Sequence, residues 1–397
     1  MASKRVQLTI TAQRFFDDAQ NKREAVRVWS LPWKLPYYIE SWDSQNEQAK
    51  VWVKVPKVPA GGSVDLYIYY GNSGAESESD GEAVFEFFDD FDTADYTVIR
   101  GSSSQVSVSD GWLRIDATSG VDSTYNDIIV ELNKQASISG DFIVESKVTI
   151  DTKEAYAVML ETNGQGYSGQ WYGDIGDMGY IMKWDGWSSK SVLADDTHYS
   201  APTGSTQVLR WDRVGSELRL WDTDLSQVIL TASSSTYTSF SKVAIRVYDG
   251  GVWQTDWVRV RKYAEQEPNI SVGSEESSDV SGWLYRRKIT ITNPNSYDLE
   301  HFQVAIDLDS SNFDFSKANS DGSDIRVTYG EGRYELPYYI DTWDTATPQA
   351  IIWVGIDSET KFYIELNPAN TTDDSDASVM NLDEATNYSL NKFEKYT

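Results

Sequence analysis

The chain has 397 residues and a formal charge of −28, with 62 acidic side chains against 34 basic ones. Two histidines and no cysteine exclude disulfides, thiolate metal sites and cysteine nucleophiles, and leave too few imidazoles for a histidine-built zinc site. A surface this negative repels phosphate backbones, so no nucleic-acid partner is expected.

The predicted elements are strands throughout. Alternation starts at Val6-Gln7-Leu8-Thr9-Ile10 and returns in Val64–Tyr69, Phe142–Val148, Glu217–Trp221 and Arg287–Ile291. Turn signals stand between them, such as Pro59-Ala60-Gly61-Gly62, Ser109-Asp110-Gly111 and Tyr248-Asp249-Gly250-Gly251. Short helical turns are expected at Phe16–Asn21, Asp80–Glu86 and Asp376–Asn387. No apolar run has signal-peptide or membrane-span length, so membrane insertion is not expected. Either a leader was removed or the protein is assembled inside a cell. The 15 Trp, 24 Tyr and 13 Phe suit strands, mostly as core or cross-strand partners. The expected fold class is all-β, with three β-sandwich or jelly-roll domains in series, the first lacking one strand.

An internal repeat organises the chain. Leu35-Pro36-Tyr37-Tyr38-Ile39-Glu40-Ser41-Trp42-Asp43 recurs as Leu336-Pro337-Tyr338-Tyr339-Ile340-Asp341-Thr342-Trp343-Asp344, and Gln48-Ala49 with Val51-Trp52-Val53 recurs as Gln349-Ala350 with Ile352-Trp353-Val354. The second copy opens with Gly282–Asn293, a strand and turn, ahead of Phe302–Ile306. The first copy starts at the equivalent of that later strand, near Arg5–Ile10, and has no opening strand. Its exposed edge calls for a strand from another subunit, for this chain's own C-terminal tail, or stays uncovered. The expected boundaries are 1–86 for the strand-deficient sandwich, 87–272 for a jelly roll, 273–281 for a linker, 282–380 for the second sandwich and 381–397 for a polar tail ordered only against a neighbour.

Trp283–Asn367, with Trp-x-Tyr-Arg-x-x-Ile-x-Ile, Gly322-Ser323-Asp324-Ile325-Arg326-Val327 and the Leu-Pro-Tyr-Tyr-Ile block, resembles a domain-of-unknown-function family of archaeal and bacterial surface proteins and archaeal viruses. The first copy is similar from about Val6 and carries the family's exit, Tyr69-Tyr70-Gly71-Asn72, but lacks the Asp-Gly-x-Asp-Ile-Arg turn. The second copy keeps that turn and loses the exit. Phe88-Asp89-Asp90-Phe91-Asp92, Gly111-Trp112-Leu113-Arg114-Ile115 and Thr255–Tyr263 make residues 87–272 similar to a concanavalin A-like jelly roll. That resemblance implies first and last strands side by side, whose acidic residues could share a calcium ion.

A laminarinase-type site needs glutamates spaced Glu-x-Asp-x-x-Glu on one strand. Phe142–Asp151 and Tyr156–Thr162 lack this pattern, and Glu145 and Glu161 stand alone, so no enzyme activity is expected. Asp90, Asp92 and Asp256 are the candidate Ca2+ ligands, with turn capping and pairing to Arg259 or Arg261 as the alternative. Gly164–Ser189 is dense in aromatics. Trp171, Tyr172, Trp184 and Trp187 are the candidate sugar-stacking faces, with inward core packing as the alternative. The expectation is a non-enzymatic virion structural or attachment protein that oligomerises through strand complementation. Its partners would be copies of itself, other virion or surface proteins and host glycans, and its place the virion surface. The alternative is a secreted or cell-surface carbohydrate-binding adhesin.

Overall fold

A computed structural model describes residues 4–10, 26–30, 33–72, 74–118, 126–150, 155–172, 179–196, 204–222, 224–248, 250–278, 283–329, 334–335, 338–344, 349–356, 362–366 and 384–390. In chain order the first copy supplies β1 (Lys4–Ile10), β2 (Val26–Ser30), β3 (Trp33–Lys34), β4 (Tyr37–Asp43), β5 (Gln48–Val58), β6 (Ser63–Tyr70) and a single helical turn, α1 (Gly81–Val84). Asp80 caps that turn by accepting from the Ala83 amide, as its Asp-Gly start predicts. The expected turn at Phe16–Asn21 lies outside the described residues.

The jelly roll follows: β7 (Phe87–Asp89), β8 (Tyr96–Arg100), β9 (Val106–Ser109), β10 (Trp112–Asp116), β11 (Asp127–Leu132), β12 (Ile138–Ser139), β13 (Phe142–Ile150), β14 (Ala155–Thr162), β15 (Gln165–Tyr172), β16 (Gly179–Asp185), β17 (Lys190–Asp196), β18 (Thr206–Val214), β19 (Glu217–Trp221), β20 (Val228–Ser233), β21 (Ser239–Phe240), β22 (Lys242–Tyr248) and β23 (Val252–Lys262). Two large antiparallel sheets, ordered β20-β19-β18-β13-β23-β10-β9 and β17-β16-β15-β14-β22-β11-β8, stack face to face. Alternate residues of both, among them Val144, Val158, Tyr167, Trp171, Trp211 and Ile245, fill the space between them. First and last strands lie side by side, β7 pairing β23 from Val258↔Asp89 to Val260↔Phe87.

The second copy supplies β24 (Asn269–Ser277), β25 (Tyr285–Thr292), β26 (Leu299–Asp309), β27 (Arg326–Tyr329), β28 (Tyr334–Glu335), β29 (Tyr338–Asp344), β30 (Gln349–Ile356), β31 (Phe362–Leu366) and β32 (Glu384–Leu390). The expected linker 273–281 is corrected: residues up to Ser277 belong to β24. Its glutamates face the arginines of β25, with Glu275 opposite Arg287 and Glu276 opposite Arg286 across a bulge, so charge pairing makes an edge strand of a polar segment. Part of the expected helical turn Asp376–Asn387 and part of the tail are likewise strand, β32 running parallel to β1.

The two copies do not fold separately. β5 pairs β26 and β6 lies between β25 and β27, so the late strands of the first copy combine with the early strands of the second in one sandwich. Conversely β1 pairs β30, and β2 pairs β28 and β31. The registers are equivalent: Val304 faces Val53 in one sandwich and Val6 faces Val354 in the other. The Leu-Pro-Tyr-Tyr-Ile repeat makes the same bulged hairpin twice, slipping between Ile39 and Ser41 and again between Ile340 and Thr342. Domains taken as consecutive stretches 1–86 and 282–380 are therefore corrected to a reciprocal exchange. The second copy's opening strand β25 pairs β6 of the first copy, whereas β1 and β2 lie in the other sandwich, where β1 takes β32 from this chain's own tail on its second edge.

The exchange explains the sequence asymmetry of the copies. The Asp324 carboxylate, in the turn kept only by the second copy, accepts from the Gly71 and Asn72 amides of the exit kept only by the first, at 2.9 and 3.2 Å, and from the Asn319 amide at 2.8 Å. Gly71 has φ +82°, and a Cβ there would stand 2.7 Å from the Tyr285 ring, so both conformation and space demand glycine. Tyr37 donates to the Ile325 carbonyl at 2.8 Å, and the Asn293 amide donates to the carbonyls of Val58 and Pro59. The shared core joins Val51, Val53, Leu66 and Ile68 to Ile289, Phe302, Val304 and Ile325.

The jelly roll is fixed to this sandwich through a buried junction. Arg259 stacks between Trp52 and Trp257 at 4.4 and 4.2 Å and donates to Glu145 at 2.7 Å and to Glu40. Arg261 binds Glu145 and Glu267. Burial pushes the Glu145 carboxyl up, but Arg261 and Arg259 outweigh it and hold it well below the usual carboxylate range.

Two outcomes test this architecture. Lys50 and Asp307 face each other across β5 and β26, the first half-exposed and the second exposed, and the chain contains no competing cysteine. Lys50→Cys with Asp307→Cys is expected to oxidise to a cross-linked monomer on non-reducing gels; a covalent dimer would place β26 in another copy. Asp324→Ala strands three amides and is expected to lower unfolding free energy by about 2–3 kcal/mol in urea titration.

Candidate functional site

The outer face of the sheet containing β14, β15 and β22 carries the chemistry. Its register aligns Ile129, Arg246, Ala157, Gln170, Tyr180 and Asp195 in one row across six strands. Small residues in the middle, Ala157, Ser168 and Ala244, leave room above the sheet, and the larger Tyr172, Tyr180 and Tyr248 stand half-buried around it. Tyr172 and Tyr180 meet at 5.8 Å between ring centres.

At the base lies a charged network. Arg246 is 1 % exposed; its Nε donates to Asp127 Oδ2 at 2.5 Å and its Nη1 to Gln170 Oε1 at 3.0 Å. Asp127, fully buried, also accepts from Arg100 Nη1 at 2.7 Å, and Arg100 reaches on to the Trp187 carbonyl. The Arg246 guanidinium sits over the rings of Tyr248 and Trp184, at 4.7 and 5.6 Å. Lys190 keeps an exposed stem while its ammonium tucks against the same rings, 5.3 Å from Trp184 and 5.7 Å from Tyr248. Burial and the neighbouring Arg246 and Arg100 charges depress it to about 8, against the pull of Asp127.

The four aromatics picked from sequence part company here. Trp171 is corrected to core: it points between the sheets, fully buried, its indole donating to the Trp221 carbonyl. Trp184 is on the outer face but 1 % exposed, its indole donating to Ser168 Oγ at 3.0 Å, so no ring face is left for a sugar. Trp187 is half-buried over the β14–β15 turn. That turn is Asn163-Gly164 with φ of 54° and 79°, a tight type I′-like connection, and a Cβ on Gly164 would meet Trp187 at 2.9 Å. Tyr172 alone of the four offers a half-exposed ring beside another aromatic. Arg246 and Asp127 were missed, although a lone arginine inside Val243-Ala244-Ile245-Arg246-Val247 signals a buried partner.

The calcium ligands do not assemble. Asp256 occupies the bulge of β23 between Trp257 and Thr255, and its carboxylate is paired with Lys147 at 2.5 Å. Asp90 and Asp92 follow β7, where burial and the Asp92 charge raise Asp90. Among the described residues no three His, Cys, Asp or Glu side chains group as a metal site. These three carboxylates do not fit a calcium ion, because a lysine already neutralises the one from β23.

At the far end of the same face, Glu161 accepts the Gly164 amide at 2.6 Å through Oε2, while its buried Oε1 has no donor. Burial and the Glu131 carboxylate raise it to about 7, opposed by the Gly164 bond and Lys242. The folded protein therefore binds a proton here that the unfolded chain, at an ordinary 4.5, releases earlier. The associated stability is complete below about pH 4.5 and lost as pH climbs to about 7. Glu161→Gln is expected to stabilise the protein at pH 8 on the order of 1 kcal/mol and to have little effect at pH 4.5, read from paired thermal melts. Equal effects at both values would refute the assignment.

Comparison with known proteins adds the following. The family described as "Domain of unknown function (DUF2341)" matches residues 23–102 and again 321–395, one match in each repeat copy. No curated protein matches the sequence. Similar solved structures include a carbohydrate binding module, CBM66, from Bacillus subtilis, at 17% identity over 43% of this chain and 96% of that one, TM-score 0.34. A Bacillus licheniformis beta-glucanase is similar at 12% identity over 45% and 98%, TM-score 0.33. The metal-free Emp46p carbohydrate recognition domain is similar at 11% identity over 42% and 88%, TM-score 0.32.

Proposed function

We propose that this is a non-catalytic glycan-binding protein of a virion or cell surface, in which the strand-exchanged sandwiches are the mount and the jelly roll is the receptor. The carrying observation is the outer face of the β14–β15–β22 sheet. There half-exposed Tyr172, Tyr180 and Tyr248 surround the hydrogen-bonding groups of Gln170, Arg246 and Lys190. Sugars bind such faces by stacking C–H surfaces on rings and sharing hydroxyls with fixed polar groups. The buried junction at Arg259 supports the mount, since it ties the jelly roll to the sandwich without a flexible linker.

Two observations weigh against a glycosidase reading. Glu145 lies on the opposite sheet, neutralised by two arginines. Glu161 has the Glu131 carboxylate close by, but it is fully buried with one oxygen engaged by the Gly164 amide, and a retaining pair needs two carboxyls flanking the scissile bond at about 5–5.5 Å. No helix among the described residues is long and apolar enough to cross a membrane.

The test is a glycan array followed by calorimetry on the full chain. Binding is expected to fall about tenfold or more in Tyr172→Ala with Tyr180→Ala, with an unchanged circular-dichroism spectrum. An empty array, or binding indifferent to both tyrosines, would remove this assignment. Release of reducing sugar from any bound glycan would make the protein an enzyme instead.

A further inference from the structure

We infer that the sugar taken by this face carries a carboxylate, as a uronic acid does; the inference rests on the glycan-binding reading above. The chain as a whole is strongly anionic, yet here three cations, Arg100, Arg246 and Lys190, converge on a single buried carboxylate, Asp127. Asp127 is spent on the two arginines. Lys190 forms no ion pair among the described residues and is held by rings alone. Asp195, on the edge strand opposite Tyr180, is near enough to act on that tyrosine but pairs with none of the three cations among the described residues.

Arg246 makes the point sharper. It is almost completely buried, Nε and Nη1 are matched to Asp127 and Gln170, and Nη2 has no acceptor among the described residues. A buried donor left unmade is costly, and a guanidinium edge is best satisfied by a carboxylate, which can accept two parallel N–H bonds. A neutral sugar hydroxyl could accept from Nη2 but would leave the excess positive charge in a poorly solvated place. A carboxylate arriving beside Tyr248 meets the Lys190 ammonium first. As that flexible side chain swings aside it exposes Arg246, with the rings of Tyr248 and Tyr180 left to stack on the pyranose.

The experiment is calorimetry on the full chain with three trisaccharides: galacturonate, its neutral galactose counterpart, and a sulfated galactose counterpart. Galacturonate is expected to bind about tenfold or more tighter than the neutral sugar, and to lose that advantage on raising salt to about three times physiological ionic strength. Lys190→Gln, a change at an exposed stem, is expected to weaken the acidic ligand about fivefold or more and the neutral one by much less, with an unchanged circular-dichroism spectrum. Arg246→Lys keeps the charge but not the fork and is expected to weaken it further. Equal affinity for neutral and acidic sugars overturns this inference and leaves glycan binding standing. No binding of any sugar removes both. Sulfated and carboxylated ligands binding alike would overturn the choice of carboxylate, and an unaffected Lys190→Gln would overturn the site.

Discussion

The architecture turns on the position of β6 between β25 and β27. Its C-terminal end is held by one buried carboxylate, Asp324, which accepts from the Gly71 and Asn72 amides across 253 and 252 residues of chain. Ladder bonds alone would not choose this arrangement, because the equivalent strands of the two copies offer nearly the same apolar pattern in the same register. The choice comes from contacts that only one combination can make. Asp324 against Gly71 and Asn72, Arg326 against Tyr37 and Glu78, and Tyr285 in the space over Gly71 each join the second copy's early half to the first copy's late half.

The exchange has a mechanical consequence. The jelly roll is inserted between segments that must both be in place before either sandwich closes, so its first and last strands are anchored together at one end. Gln303 of β26 accepts from the Lys262 amide at the end of β23 and donates to the Val84 carbonyl in α1. Arg259, on the last jelly-roll strand, is buried among Trp52, Phe85 and Trp257. Several independent interactions thus fix the jelly roll on the sandwich, and they come from the sheet of β13 and β23 rather than from the one that carries Arg246.

That face illustrates how burial redirects side chains of obvious chemical promise. The aromatic density of Gly164–Ser189 is a consequence of two adjacent strands with opposite parity. Tyr167 and Trp171 point between the sheets, while Tyr172, Tyr180 and Trp184 point out. Trp184 is then covered, and its ring becomes the platform for Lys190 and Arg246. The cations of this acidic chain thus gather on one outer face of the jelly roll.

By itself the sequence determined that the chain is nearly all strand, that a jelly roll starts at Phe87, and that two related modules flank it. Those features rest on local chemistry: period-two alternation, turn residues and a repeat that makes the same bulged hairpin twice. The absence of a Glu-x-Asp-x-x-Glu strand was equally legible. Only the tertiary structure decided which copy's strands pair, that residues up to Ser277 form an edge strand, that Asp256 belongs to Lys147, and that Arg246 and Asp127 pair beneath the outer face of the jelly roll. Each of these depends on groups brought together from distant parts of the chain, where burial removes water as a competing partner. That competition is resolved by the packed whole, not by the neighbours of any one residue.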